Sequence, residues 1–275
     1  MSYLEESKKI TVRHACNIGD LIASLAGLNS YWQRTGQKFI YMQELNVPAT
    51  YHTDYYHPTQ EDGKQVMCNK RMFDMIKPLV ECQPYIESFE EYSGQKIAVD
   101  LSVIRSEINV NMPFGAIQSW YMLAFPDLAC DISKDWINVN DGEIVPEHKN
   151  KVVINFTERY RNQFIHYYFL KKHQDSLLFA GTEKEHSDFC KKWNLDIPLL
   201  IIDDFLHLAQ VLKSSKFFLG NQSFCWNLNR AMNLPSILEL FMHAPNCIPF
   251  VGNDNYGFYH QNALEYYFET LMNKK

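Results

Sequence analysis

Residues 216–240, KFFLGNQSFCWNLNRAMNLPSILEL, read as strand, turn, helix and strand with almost no spare residue. Lys216 to Leu219 is a short apolar run, after which Gly220 frees the backbone for a sharp turn and lets main-chain N–H groups approach a ligand. Asn221, Gln222 and Ser223 can each cap a helix. Phe224, Leu228, Ala231 and Met232 then recur at the i, i+4, i+7, i+8 spacing of a buried helix face, and Asn233 with Pro235 stops it. Ser236 to Leu240 follows so closely that it reads as the return strand of a parallel βαβ unit. A helix start beside a glycine turn offers unpaired N–H donors and the positive end of a dipole, which suits a phosphate. The same turn also occurs in doubly wound domains purely as packing, and the stretch alone leaves both readings open.

The same alternation extends upstream. Lys151 to Phe156, Ser176 to Ala180 and Pro198 to Ile202 read as strands, with helices over Glu183 to Trp193 and Asp204 to Leu212. The second helix carries a clean apolar face in Phe205, Leu208, Ala209 and Leu212. Five strands with their crossovers predict a Rossmann-like domain. The loop after its first strand is TERYRNQ, and in an extended loop Arg159 and Arg161 turn their guanidinium groups to one side, around Tyr160. Two planar forks that cannot lose their charge suit a diphosphate, although paired surface arginines are more often simply solvated. Glu239, at the end of its strand, is a candidate for ribose hydroxyls or for burial against the neighbouring helix.

A glycine followed by Asn-Gln-Ser, a helix and Leu-Pro-x-Ile-Leu-Glu resembles the donor-domain signature of GT-B glycosyltransferases. The likeness is to the heptosyltransferase type of glycosyltransferase family 9 and its short relatives. It implies two Rossmann-like domains with parallel sheets facing a central cleft. It further implies a nucleotide-sugar donor held by Arg159, Arg161, Gly220, Asn221, Gln222, Ser223 and Glu239, and sugar transfer to an acceptor hydroxyl with inversion at the anomeric carbon.

The first half opens in the same way. Ile10 to His14 is a strand, Ala-Cys-Asn-Ile-Gly-Asp is a turn, and a helix with Leu21, Leu25, Leu28 and Trp32 on one face leads to a strand at Lys38 to Met42. Family 9 enzymes carry a Gly-Asp pair at this position whose aspartate is the general base; here the pair is Gly19 and Asp20. Asp20 as a plain helix N-cap is the competing reading. Asn17 and Gly19 in this turn and His57 in the following loop are expected on the acceptor side, since loops on a rigid scaffold carry recognition. Residues 50–68 read as a loop with exposed aromatics, Phe73 to Val80 as a helix and KIAVDL at 96–101 as a strand. Residues 109–125 follow no period. The domains are expected at 1–145 and 146–275, with a last helix from His260 to Met272 long enough to cross back to the first domain.

Composition narrows the function. The 275 residues are 46% hydrophobic with a net charge of −6, ample for buried cores and without an electrostatic footprint for nucleic acid, so a saccharide acceptor is favoured. Seven cysteines without a CxxC pair predict reduced thiols and a cytoplasmic protein. Neither a signal peptide nor a membrane span is evident. There is no Walker loop, GxGxxG, GxSxG, HxxxH or grouped carboxylate, so no cofactor and no metal are expected. A nucleotide-sugar epimerase of GT-B fold and a non-catalytic sugar-nucleotide binder are the competing classes. Oligomeric state is not encoded in any recognisable feature.

Overall fold

A computed structural model describes residues 9–49, 59–105, 116–140, 146–243, 246–249, 252 and 254–274. The chain divides into two compact units, Met1–Asn138 with Asp204–Leu206 and Val139–Asp203 with His207–Lys275. The division falls between Asn138 and Val139 because side chains tie each to its own unit. Tyr85 donates to the Trp136 carbonyl at 2.7 Å and Gln83 donates to that of Asn138, while Lys213 donates to the Val139 carbonyl.

The first unit holds a four-stranded parallel sheet. Its strands are β1 (Lys9–His14), β2 (Lys38–Gln43), β5 (Ile86–Glu91) and β6 (Val99–Asp100), in the order β5-β2-β1-β6. Two residues each form β3 (Gln60–Glu61) and β4 (Lys64–Gln65), an antiparallel hairpin inside the expected 50–68 loop. Helices α1 (Ile18–Thr35), α2 (Lys70–Glu81) and α3 (Ile117–Ala124) complete the unit. The KIAVDL stretch pairs over only two residues before turning into a 3-10 segment, Leu101–Arg105. Helix α1 buries Leu21, Leu25 and Leu28 completely and stops at Gly36, whose φ of 72° makes the left-handed cap that a Cβ would strain.

The second unit holds a five-stranded parallel sheet of order β11-β10-β9-β7-β8. Its strands are β7 (Val152–Asn155), β8 (Leu177–Phe179), β9 (Phe217–Asn221), β10 (Ser236–Glu239) and β11 (Asn255–Phe258). Helices α4 (Glu183–Trp193), α5 (Phe205–Ser214), α6 (Phe224–Ala231) and α7 (Gln261–Asn273) surround it. The count of five strands is as expected, but the fifth is β11. Pro198 to Ile202 makes a single bridge, Phe179 to Leu199, because Pro198 offers no N–H for a ladder and Ile201 is exposed. Helix α7 packs Leu264, Phe268 and Leu271 into this unit's core with Val152, Phe217, Ile237 and Phe258. Each such side chain contributes about 1.5–3 kcal/mol on burial.

Strand order dictates where either unit can hold a ligand. From β1 the chain passes to β2 and β5 on one side, then to β6 on the other. From β7 it passes to β8 on one side, then to β9 on the other. Crevices in open α/β sheets lie at the carboxyl ends of the strands where the order reverses, here β1/β6 and β7/β9.

Candidate functional site

Asp20 and the start of α1 stand at the carboxyl end of β1. The cap is Asn17, whose Oδ1 accepts from the Asp20 N–H at 3.1 Å, so Asp20 lies within the first turn and its carboxylate is released from capping. Gly19 and Asp20 are buried in that turn. The carboxylate is only 3% exposed, and its Oδ2 accepts from Arg105 Nη2, from Arg105 Nε at 3.2 Å and from Asn17 Nδ2 at 3.3 Å. Arg105 ends the 3-10 segment that follows β6, so this ion pair spans the first unit's strand reversal. Burial works against the Arg105 charge, but the adjacent Asp20 outweighs it and the guanidinium stays charged, its pKa raised.

Beneath Asp20 lies a buried polar chain. The Gln43 amide donates to the carbonyls of Cys16 and Glu44, which turns its Oε1 toward His14 Nδ1 at 2.8 Å. His14 Nδ1 therefore carries the proton, and Nε2 meets the Tyr121 hydroxyl at 3.1 Å. Tyr121 also reaches the Asp20 carbonyl at 3.1 Å, so α3 helps to fix the backbone of this turn. Burial pulls His14 down to about 4, so this histidine is neutral, and with Nδ1 on Gln43 and Nε2 on Tyr121 it has no ring nitrogen left for a substrate proton. Burial, with Asp20 next, pushes Cys16 up to about 12, leaving it a protonated thiol. His57, the other expected acceptor-side residue, lies outside the described residues, as do the aromatics around it.

The second unit's reversal, between β7 and β9, is organised by the Asn-Gln-Ser run. Gly220 lies in β9 itself. A Cβ there would meet the Asn155 carbonyl at 2.4 Å and the Phe218 ring at 2.7 Å, so glycine is required by close strand packing rather than by a turn. Asn221, fully buried, accepts from the Thr157 N–H at 3.0 Å and donates to the carbonyls of Thr157 at 3.0 Å and Arg159 at 2.6 Å. Gln222 accepts from the Phe241 N–H at 3.1 Å and donates to Asn246 at 2.7 Å. Ser223 is the N-cap of α6, accepting from the Trp226 N–H at 3.3 Å. Asn221 and Gln222 thus hold one loop each, and Ser223 starts the helix.

The two arginines do not form a matched pair. Tyr160 takes φ 56°, a left-handed conformation that an aromatic residue adopts at a cost, and the loop is folded, not extended. Arg159 stacks on the Tyr160 ring at 5.4 Å. Arg161 instead lies 4.9 Å from the Phe156 ring centroid and 5.5 Å from that of Tyr167, with its Nε 3.3 Å from Glu239 Oε1. Glu239 is fully buried and also accepts from the Asn162 N–H and the Tyr167 hydroxyl. Its donors come from the 161–167 loop, not the neighbouring helix, and neither oxygen is open to a ribose. The strand-end place of Glu239 is legible in the sequence, and its other signal is Tyr167, a buried phenol that needs a partner.

Among the described residues no group of three or more His, Cys, Asp and Glu side chains is arranged to hold a metal ion, and no helix is long and apolar enough to cross a membrane.

No protein-family model matches the chain, and no curated protein matches it by sequence. Solved structures do match it in fold. Escherichia coli heptosyltransferase WaaC, solved with ADP-2-deoxy-2-fluoro heptose, is similar over 95% of this chain and 99% of that one, at a TM-score of 0.58 and 10% identity. The family 9 glycosyl transferase of Veillonella parvula is similar over 98% and 90%, at 0.56 and 8%. The dodecameric iron-containing glycosyltransferase TibC of enterotoxigenic E. coli is similar over 84% of this chain and 57% of that one, at 0.52 and 11%. At such identities the likeness is one of fold: the chain shares the fold of these glycosyltransferase structures, built from two units with parallel sheets.

Proposed function

We propose that this chain is a glycosyltransferase that moves a sugar from a nucleotide-activated donor to an acceptor hydroxyl with inversion, without a metal, in the cytoplasm. The observation that carries the reading is the placement of Asp20. Asn17 takes over the capping role, and the carboxylate is left at the reversal point of a sheet, where a ligand-facing acid is expected. The TM-score of 0.58 to a heptosyltransferase over 95% of the chain supports the same choice, and the ligand named in that structure makes an ADP-sugar the first donor to try.

In this reading Asp20 takes the proton of the acceptor hydroxyl as it attacks the anomeric carbon, and the sugar–phosphate bond breaks to release a nucleoside diphosphate. Charge developing on that diphosphate falls to Arg159 and to the N–H groups at the start of α6, preorganised by Asn221 and Ser223. Arg161 and Glu239 support the loop that carries Arg159. The acceptor is a saccharide, consistent with the acidic net charge of −6.

A thermal-shift panel of ADP, UDP, GDP and their sugars, ADP-heptose included, tests the donor assignment, because a ligand bound only by the folded state raises Tm. At a concentration of 100 Kd the stabilisation is about 2.7 kcal/mol. A chain whose Tm is moved by none of them is not a nucleotide-sugar enzyme.

A further inference from the structure

Two oxygens of one carboxylate are treated differently. A fork-to-fork pair between arginine and aspartate spends both carboxylate oxygens on two parallel hydrogen bonds. Here both Arg105 nitrogens, Nε at 3.2 Å and Nη2, converge on Oδ2 of Asp20, and Asn17 Nδ2 adds a third donor at 3.3 Å. Among the described residues nothing donates to Oδ1. An oxygen with three donors has no lone pair left to take a proton, so only Oδ1 can. The backbone is fixed as well, since the Asp20 N–H donates to Asn17 Oδ1 and the Tyr121 hydroxyl lies 3.1 Å from both the Asp20 carbonyl and His14 Nε2, its one proton shared between those two acceptors.

The geometry points to Arg105 and Asn17 as positioning residues that pin Oδ2 of Asp20 and leave Oδ1 as the proton-accepting atom. This rests on the reading of Asp20 as the base. Arg105 comes from the far side of the sheet's reversal, after β6, so the carboxylate is oriented by the two strands that frame the crevice. Freezing it removes rotations that would otherwise be lost in the transition state, and misplacement of a reacting group is costly in rate. Asn17 has two roles that separate cleanly: its Oδ1 caps α1, and its Nδ2 reaches Asp20.

The test compares Arg105→Gln, Arg105→Lys and Asn17→Ser with Asp20→Asn in the full chain, following ADP release from ADP-heptose as the sugar passes to an added saccharide or to water, whose hydroxyl proton Asp20 would take. Serine keeps the cap and loses the Nδ2 donor to Asp20. The expected result is an unchanged KM for the donor in every folded variant, with kcat down on the order of a hundredfold in Arg105→Gln. Lysine, which keeps the charge but not the fork, should recover about tenfold of that loss, and Asn17→Ser should fall by a few-fold. A folded Arg105→Gln with native kcat, beside an inactive Asp20→Asn, overturns the positioning role while the base stands; native turnover in Asp20→Asn removes the base itself.

A ligand-free readout decides the matter should ADP-heptose not be turned over. With 15N-labelled arginine, the Arg105 Nε–H should exchange with water far more slowly than that of Arg71, which is exposed, and its resonance should move in Asp20→Asn. An Arg105 Nε–H that exchanges like Arg71 overturns the proposal whatever the donor.

Discussion

The Asn221 carboxamide reaches from the end of β9 to the Arg159 carbonyl at 2.6 Å and so sets the position of a loop that follows β7. One uncharged side chain therefore connects the two strands on either side of the second unit's reversal, as the Asp20–Arg105 pair does in the first. In each unit a side chain beside the reversal, Asn221 at the end of β9 and Asp20 in the first turn of α1, is spent on joining elements across it. The chemistry proposed for Arg159 depends on that joint, because a guanidinium is only as well placed as the backbone that carries it.

Asn221→Ala tests this joint. The substitution strands the Thr157 N–H and the carbonyls of Thr157 and Arg159, each worth about 1 kcal/mol as a hydrogen bond. A loss of about 2–3 kcal/mol is expected in urea unfolding, together with weaker ADP binding. Full stability with unchanged ADP affinity would show that the loop is positioned by something else.

The two arginines should part company on substitution. Arg161→Ala leaves the buried Glu239 without its ion-pair partner and should cost about 3 kcal/mol. Arg159→Ala should leave the melting temperature within a few degrees of native and weaken ADP binding by about tenfold, as expected for recognition by a charge outside the core. Calorimetric titration and thermal unfolding of both variants separate these roles; matching phenotypes would contradict the asymmetry seen around Tyr160.

His14 gives a pH signature. Its pKa is about 4 in the fold, lowered mainly by burial, against about 6.5 in an unfolded chain. Between those values the unfolded chain binds more protons, so stability rises with pH. The contribution is complete above pH 6.5 and is lost as pH falls toward 4, about 3 kcal/mol at most. Relative to a His14→Gln variant, the native chain should lose stability over this window; parallel curves would place His14 in contact with water.

Gly220→Ala should be poorly tolerated although alanine suits a strand conformation. Its methyl would meet the Asn155 carbonyl at 2.4 Å and the Phe218 ring at 2.7 Å, forcing β7 and β9 apart at an expected cost of about 1–3 kcal/mol. Denaturant midpoints measure it, and a neutral substitution would return Gly220 to the role of a simple turn residue.

Periodicity made much of the fold legible. The βαβ opening, α2, α4, α5, α6, α7 and the first four strands of the second unit follow from apolar spacing and caps, because local contacts dictate them. The failures have physical causes. Leu101–Arg105 turns as a 3-10 segment because Leu101 and Ile104 are buried three apart, a spacing that a strand reading of KIAVDL overlooks. Strand β5 alternates poorly, IESFEE, and was hidden behind its Pro84 turn. Within the site, Asp20 was visible from its Gly-Asp setting, but Arg105 lies 85 positions away, and no local pattern marks it as the partner. Asn221 and Gln222 were legible as special and opaque as to role, since a carboxamide's partners are set by tertiary structure.

The most direct measurement is nucleoside diphosphate release from nucleotide sugars of the ADP, UDP and GDP series by the native chain and by Asp20→Asn. Asn17 keeps the cap of α1, so the variant should melt close to native. The account predicts turnover by the native chain with at least one of these donors and a loss on the order of a hundredfold or more in the variant, with nucleotide affinity retained. Asp20→Asn releasing diphosphate at the native rate, or a native chain that releases none from any donor, would contradict it.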